Sequence, residues 1–168
     1  MTVRSGAMTT GAPIGAWTTG SDYGSAEAGA KTRAVVALRG LLALPAREAR
    51  YYNAAMDDAG APLEGKCRYR ISGGALPARW WSVTLYDRTG YLVANPARIY
   101  AINSARLAIA EQANWAIVAA PEPQDGHWLP TGGAAHFELT LRAYLPEGAG
   151  KRDFTRDELP RIVREGCA

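Results

Sequence analysis

The sequence predicts a mainly β fold, an antiparallel β-sandwich of jelly-roll-like form, and three observations carry that expectation. After Pro45 the chain breaks into short β-rich runs separated by Gly, Asp and Pro. The two clearest runs, 80–86 and 137–145, alternate apolar with polar residues, the period of a half-buried strand. The chain of 168 residues is also 48% hydrophobic and 21% charged, the balance of an ordinary globular domain with one core.

Taken in order, residues 1–24 are rich in Gly, Thr, Ser and Ala around a lone Trp17. They read as an extended arm whose order depends on docking that indole. Residues 25–168 read as a single domain. From about Glu27 to Leu44 the apolar residues Val35, Leu38, Leu41 and Leu42 recur near helical spacing, and Pro45 stops the run, so an amphipathic helix is expected there. Runs at 49–56 and 67–72, closed by Asp57-Asp58-Ala59-Gly60 and Gly73-Gly74, read as a hairpin with a long loop. The run Trp80–Tyr86 turns at Asp87-Arg88-Thr89-Gly90 and returns over 91–94 as a second hairpin. Further runs at 100–103, 114–119 and 136–145 bring the strand count to about seven, enough to face one sheet against another. A short helix is expected at 155–159.

Composition also excludes function classes. The net charge is +3, and the 19 basic residues, all Arg except Lys31, Lys66 and Lys151, are dispersed with no basic run longer than Lys151-Arg152, so no track for a phosphate backbone is seen and no nucleic-acid partner is expected. The longest apolar region, 34–45, is interrupted by Arg39 and Gly40 and falls short of the roughly 18–20 residues of a membrane span. The N-terminus lacks the apolar stretch of a signal peptide, which leaves a cytoplasmic chain or a soluble piece whose targeting segment or upstream anchor has been removed.

Four motifs stand in order along the chain: Asp57 with Gly60-Ala61-Pro62-Leu63-Glu64-Gly65, then Trp80-Trp81-Ser82-Val83-Thr84-Leu85-Tyr86-Asp87, then Trp128-Leu129-Pro130, then Leu141-Arg142-Ala143-Tyr144-Leu145-Pro146. Over about residues 33–165 this order resembles the bacterial family called domain of unknown function 1214. The resemblance implies a β-sandwich-like fold and a cell-envelope, periplasmic setting reached through a hydrophobic segment or a partner domain. It implies no reaction. His127 stands where such proteins commonly carry Asn before Trp-Leu-Pro, so a role resting on that amide does not carry over.

Cys67 and Cys167 are too few for a zinc site and too far apart for a CxxC redox motif. With the envelope setting that the resemblance implies, a structural disulfide is the sharper reading, and two unpaired thiols in a reducing cytosol the other. His127 and His136 show neither HxxxH nor HxH spacing, so no metal is expected. No cofactor is expected either, because Gly73-Gly74 and Gly132-Gly133 form neither a dinucleotide nor a P-loop pattern. A triad of Ser82, His127 and Asp87 can be written down, but no GxSxG elbow accompanies it. Asp57 and Asp58 could share a proton, although Asp-Asp-Ala-Gly is more often a turn.

The alternation in the two clearest strands defines the candidate site. Trp81, Val83 and Leu85, with Phe137, Leu139, Leu141, Ala143 and Leu145, are expected in the core. Trp80, Ser82, Thr84 and Tyr86, with Glu138, Thr140, Arg142 and Tyr144, share the opposite face, and His127 and Trp128 are added as neighbours. Aromatic rings beside hydroxyls and a guanidinium can stack on a sugar or hold an anion. The same face could instead be covered by the helix at 27–44 or by the Trp17 arm. Three functions follow: a non-catalytic envelope domain binding a small polar or sugar-like ligand or an envelope protein; a hydrolase or lyase using Glu48, Asp57 or Glu138 with Arg142; or a structural oligomerisation module.

Overall fold

A computed structural model describes residues 13–19, 28–30, 33, 34, 37, 44–147 and 152–168. Ten strands are described: β1 (Pro13–Ile14), β2 (Trp17–Thr19), β3 (Ala49–Ala54), β4 (Cys67–Gly74), β5 (Ala78–Asp87), β6 (Ala101–Asn103), β7 (Asn114–Ala120), β8 (His127–Pro130), β9 (Phe137–Pro146) and β10 (Arg161–Cys167). They form a six-stranded sheet in the order β1-β2-β3-β9-β5-β6 and a four-stranded sheet in the order β10-β4-β7-β8. Every pair is antiparallel except β7 with β8, which departs from a jelly roll's ladders. The chain doubles back to that parallel pairing over 121–126, through Gly126 at φ 78°.

The two sheets bury one core between them. Trp81 of β5 meets Trp115 of β7 with ring centroids 4.3 Å apart, and Phe137 of β9 meets Tyr69 of β4 edge-on at 5.6 Å. Leu85, Leu139 and Leu141 from one sheet and Ile71, Ile117 and Ile162 from the other complete it. Trp17 enters from the arm: its indole is fully buried and donates to the Pro160 carbonyl at 2.7 Å. Of the arm expected over 1–24, residues 13–19 are described and build one margin of the larger sheet.

Several expectations need correction. The helix expected at 27–44 lies largely outside the described residues, of which Ala30, Arg33, Ala34 and Ala37 are helical, and the other helical pieces described are single 3-10 turns at Ser104–Arg106 and Ile109–Glu111. Residues 49–56 and 67–72 do not pair as a hairpin, since β3 and β4 lie in different sheets. Tyr52 and Tyr69 then bury toward one core from opposite layers, which neighbouring strands of one sheet cannot do as readily. The turn after β5 forms as expected, with Asp87 Oδ1 accepting from the amides of Thr89 and Tyr91 and Gly90 at φ 89°. Its return strand does not: 91–94 makes one bridge, Tyr86 to Leu92, and the ladder partners of β5 are β6 and β9. Asn95 ends the run by tying its side chain to Val93 and Ile99, and Pro96 has no N–H to give a ladder.

The helix expected at 155–159 is a turn instead. Pro160 prevents its extension, and Glu158 spends its carboxylate on the Thr155 amide and a bidentate pair with Arg152. That pairing pulls the Glu158 carboxyl down to about 2. Strands β8 and β10 were not expected. The leading sheet contact of Leu145 is also lost: it is 51% exposed at φ 48°, so alternation ends at Ala143.

Tyr52 gives the fold an alkaline limit. Burial pushes its hydroxyl from 10 up to about 12, partly offset by the Phe154 amide that donates to it at 2.8 Å. The folded state therefore favours the protonated phenol, and its contribution is complete below pH 10 and is lost as pH rises from 10 to 12. Urea midpoints measured across that window should fall for the native sequence and fall less for Tyr52→Phe. Parallel curves would contradict this assignment.

Candidate functional site

Register brings the eight face residues into four cross-strand pairs. Between β5 and β9, Trp80 lies opposite Tyr144, Ser82 opposite Arg142, Thr84 opposite Thr140 and Tyr86 opposite Glu138. These positions alternate with the core residues Trp81, Val83, Leu85, Leu139 and Leu141, so they share the outer face of the larger sheet. On the other side of β9, β3 places Tyr51 opposite Arg142 and Asn53 opposite Thr140. Tyr51 and Asn53 thus belong to the face, although sequence reading passed over them.

Burial on this face is graded. Ser82, Thr84, Glu138, Thr140 and Asn53 are between 3% and 7% exposed, whereas Trp80, Tyr86, Arg142 and Tyr144 are half-buried. Among the small polar groups the Thr140 hydroxyl donates to Asn53 Oδ1 at 2.8 Å and the Thr84 hydroxyl accepts from Arg142. Leu44 packs with Ala49, Tyr51 and Tyr144 at one end of the face. Burial pushes the Tyr51 hydroxyl up, against a backbone hydrogen bond at Leu44 that pulls it down.

Arg142 is held by neutral oxygens. Its Nη1 donates to Thr84 Oγ1 at 3.2 Å and its Nη2 to the Tyr86 hydroxyl at 2.9 Å, with the guanidinium carbon 5.5 Å from the Tyr86 ring centroid. One ladder step away, the rings of Trp80 and Tyr144 stand 5.4 Å apart, tilted by 58°. The arrangement combines a fixed planar cation with two aromatic surfaces, which can stack on a ring and fork onto an acceptor.

His127 and Trp128 do not join this face. They lie on β8 at the margin of the smaller sheet, where His127 Nε2 is 3.2 Å from Glu111 Oε2 and the Trp128 indole donates to the Ala120 carbonyl at 3.0 Å. The Ala108 amide, and then His127, hold the Glu111 carboxyl below the usual range. The Ser82, His127, Asp87 triad does not assemble, because Ser82 is buried on β5, His127 is in the other sheet and Asp87 Oδ1 closes its own turn.

The acids of the enzyme reading do not converge. Glu48 pairs with Arg47 at 3.2 Å, and Asp57 accepts from the amides of Ala59 and Ala61 and lies 3.3 Å from Arg164, the turn role weighed for it above. Asp58 pairs at 2.7 Å with both Arg156 and Arg161, tying the same turn to β10. Only Glu138 shares the face with Arg142. Among the described residues no three of His, Cys, Asp and Glu gather as a metal would need. No helix among them is long and apolar enough to cross a membrane.

The cysteines pair. Cys67 of β4 and Cys167 of β10 stand opposite each other in the ladder and form a disulfide across a separation of 100 residues. A cleft of about 570 Å³, which the sequence did not signal, opens near this bridge between Glu64, Lys66, Glu122 and His136.

Comparison with solved structures gives the VPA0106 protein of Vibrio parahaemolyticus, 22% identical with a TM-score of 0.63 over 82% of this chain and 36% of that one. It also gives a putative uncharacterized protein of Burkholderia cenocepacia, 15% identical with a TM-score of 0.52 over 70% of this chain and 30% of that one. Both are likenesses of fold, and this chain spans about a third of each protein's length. Comparison with curated proteins finds no match. A family model described as "Protein of unknown function (DUF1214)" matches residues 48–148, a span that contains all four ordered motifs and both strands of the outer face. On that match the chain belongs to the DUF1214 family.

Proposed function

We propose that this domain is a non-catalytic binding module that takes a small polar, sugar-like ligand on the outer face of the larger sheet, in an envelope or periplasmic setting. The observation that carries the reading is the placement of the half-buried Trp80 and Tyr144 rings one ladder step from an Arg142 fixed by Thr84 and Tyr86. Aromatic surface beside a few oriented polar groups is the composition of carbohydrate and metabolite sites. Scattering of Glu48, Asp57 and Glu138 over separate partners and elements favours binding over catalysis. The Cys67–Cys167 disulfide supports the setting, since such bonds persist where thiols are not kept reduced.

A screen of mono- and oligosaccharides by ligand-observed NMR tests the reading. The oxidised native protein should give saturable binding that Trp80→Ala abolishes, while unfolding free energy changes by less than about 1 kcal/mol, as for a residue outside a core. If Trp80→Ala instead costs about 2 kcal/mol or more and no saccharide binds the native protein, the face is packed structure and the proposal is wrong.

A further inference from the structure

Resting on that binding face, we infer that its ligands are acidic sugars, with Arg142 receiving the carboxylate. Among the described residues the other half-buried or buried arginines are matched by acids: Arg50 by Asp153 at 2.8 Å, Arg156 by Asp58 at 2.7 Å and Arg164 by Asp57 at 3.3 Å. Arg142 differs. Among the described residues no carboxylate pairs with it, and the two hydroxyls that it donates to, those of Thr84 and Tyr86, are neutral. Neutral acceptors fix the plane of a guanidinium without cancelling its charge, and two contacts leave the remaining N–H groups of the five for a bidentate acceptor. The side chain is thereby oriented before the ligand arrives, which removes part of the ordering cost of binding.

Position along the ladder selects a ring that carries its charge on a substituent. Trp80 and Tyr144 lie two residues from Ser82 and Arg142 along their strands, about 7 Å at strand rise. A pyranose ring resting on the aromatic pair can therefore extend an exocyclic carboxylate to the guanidinium. The acid on the same face, Glu138, lies on the other side of Arg142, four residues or about 13 Å along β9, and has an interaction of its own. It does not oppose an anion held between Arg142 and Trp80.

Paired probes test this: a trimer of galacturonic acid and the neutral trimer of galactose, each titrated into the oxidised protein by calorimetry. The acidic trimer should bind at least about tenfold more tightly, as one charge-assisted bidentate contact supplies. Arg142→Gln should bring the affinities for the two trimers together, erasing that preference. Raising ionic strength on the native protein, which needs no variant to fold, should shrink the preference in the same way. Equal affinity for the two trimers overturns the acidic-sugar inference while leaving the binding face standing. Binding of neither trimer, nor of any other saccharide, overturns both.

Discussion

Replacing Cys67 and Cys167 together by Ser should lower unfolding free energy by about 2–5 kcal/mol, the range seen when a native disulfide is lost. The bridge closes a separation of 100 residues, for which chain entropy alone gives roughly 4.7 kcal/mol. It also pins β10, a margin strand that buries little besides Ile162 and holds a register irregularity between Arg164 and Gly166. Reduction should therefore loosen β10 first and expose the Pro160 carbonyl that receives Trp17. Urea unfolding of the native and double-Ser proteins, with and without dithiothreitol, measures this. A reduced native protein within about 1 kcal/mol of the oxidised one would show that the bridge constrains little.

Trp17→Ala should cost about 3–5 kcal/mol, the usual loss for truncating a fully buried indole. Trp17 is 0% exposed, belongs to the shared core and donates to Pro160 at 2.7 Å, so the substitution removes both a large apolar volume and the donor of a buried carbonyl. Trp17→Phe should recover much of the packing but not the hydrogen bond, and fall between the two. Thermal and urea unfolding give the comparison, and a loss below about 1 kcal/mol for Trp17→Ala would mean that the arm is dispensable to the core.

Strands with a clean period of two were legible. In β5 and β9 the apolar core residues and the polar residues alternate along the sequence, because each strand has one face in the core, although Ser82, Thr84, Glu138 and Thr140 on the other face are buried as well. The docking of Trp17 was legible too, since a lone indole in a polar segment has few other ways to be buried. β10 was not, because Arg161, Arg164 and Glu165 dilute its pattern and its only fully buried apolar side chain is Ile162. β3 was found as a run, but all six of its residues are buried, so no alternation told which face joined which layer. Tyr51 and Asn53 were missed on the outer face for that reason. Pairing between sequence-distant strands is tertiary information, which is why the 49–56 and 67–72 runs were assigned to one hairpin and why His127 and Trp128 were grouped with a sheet they do not occupy.

The most direct test of the binding face is an NMR titration with the galacturonic acid trimer, followed at the five indole N–H signals. Trp17, Trp81 and Trp115 are buried in the core, Trp128 is engaged with Ala120 in the smaller sheet, and Trp80 stands half-buried on the outer face. The account predicts a saturable shift of the Trp80 signal, accompanied by the Arg142 Nε–H, with the other four indoles unchanged. Saturation that moves Trp128 and leaves Trp80 still would contradict it.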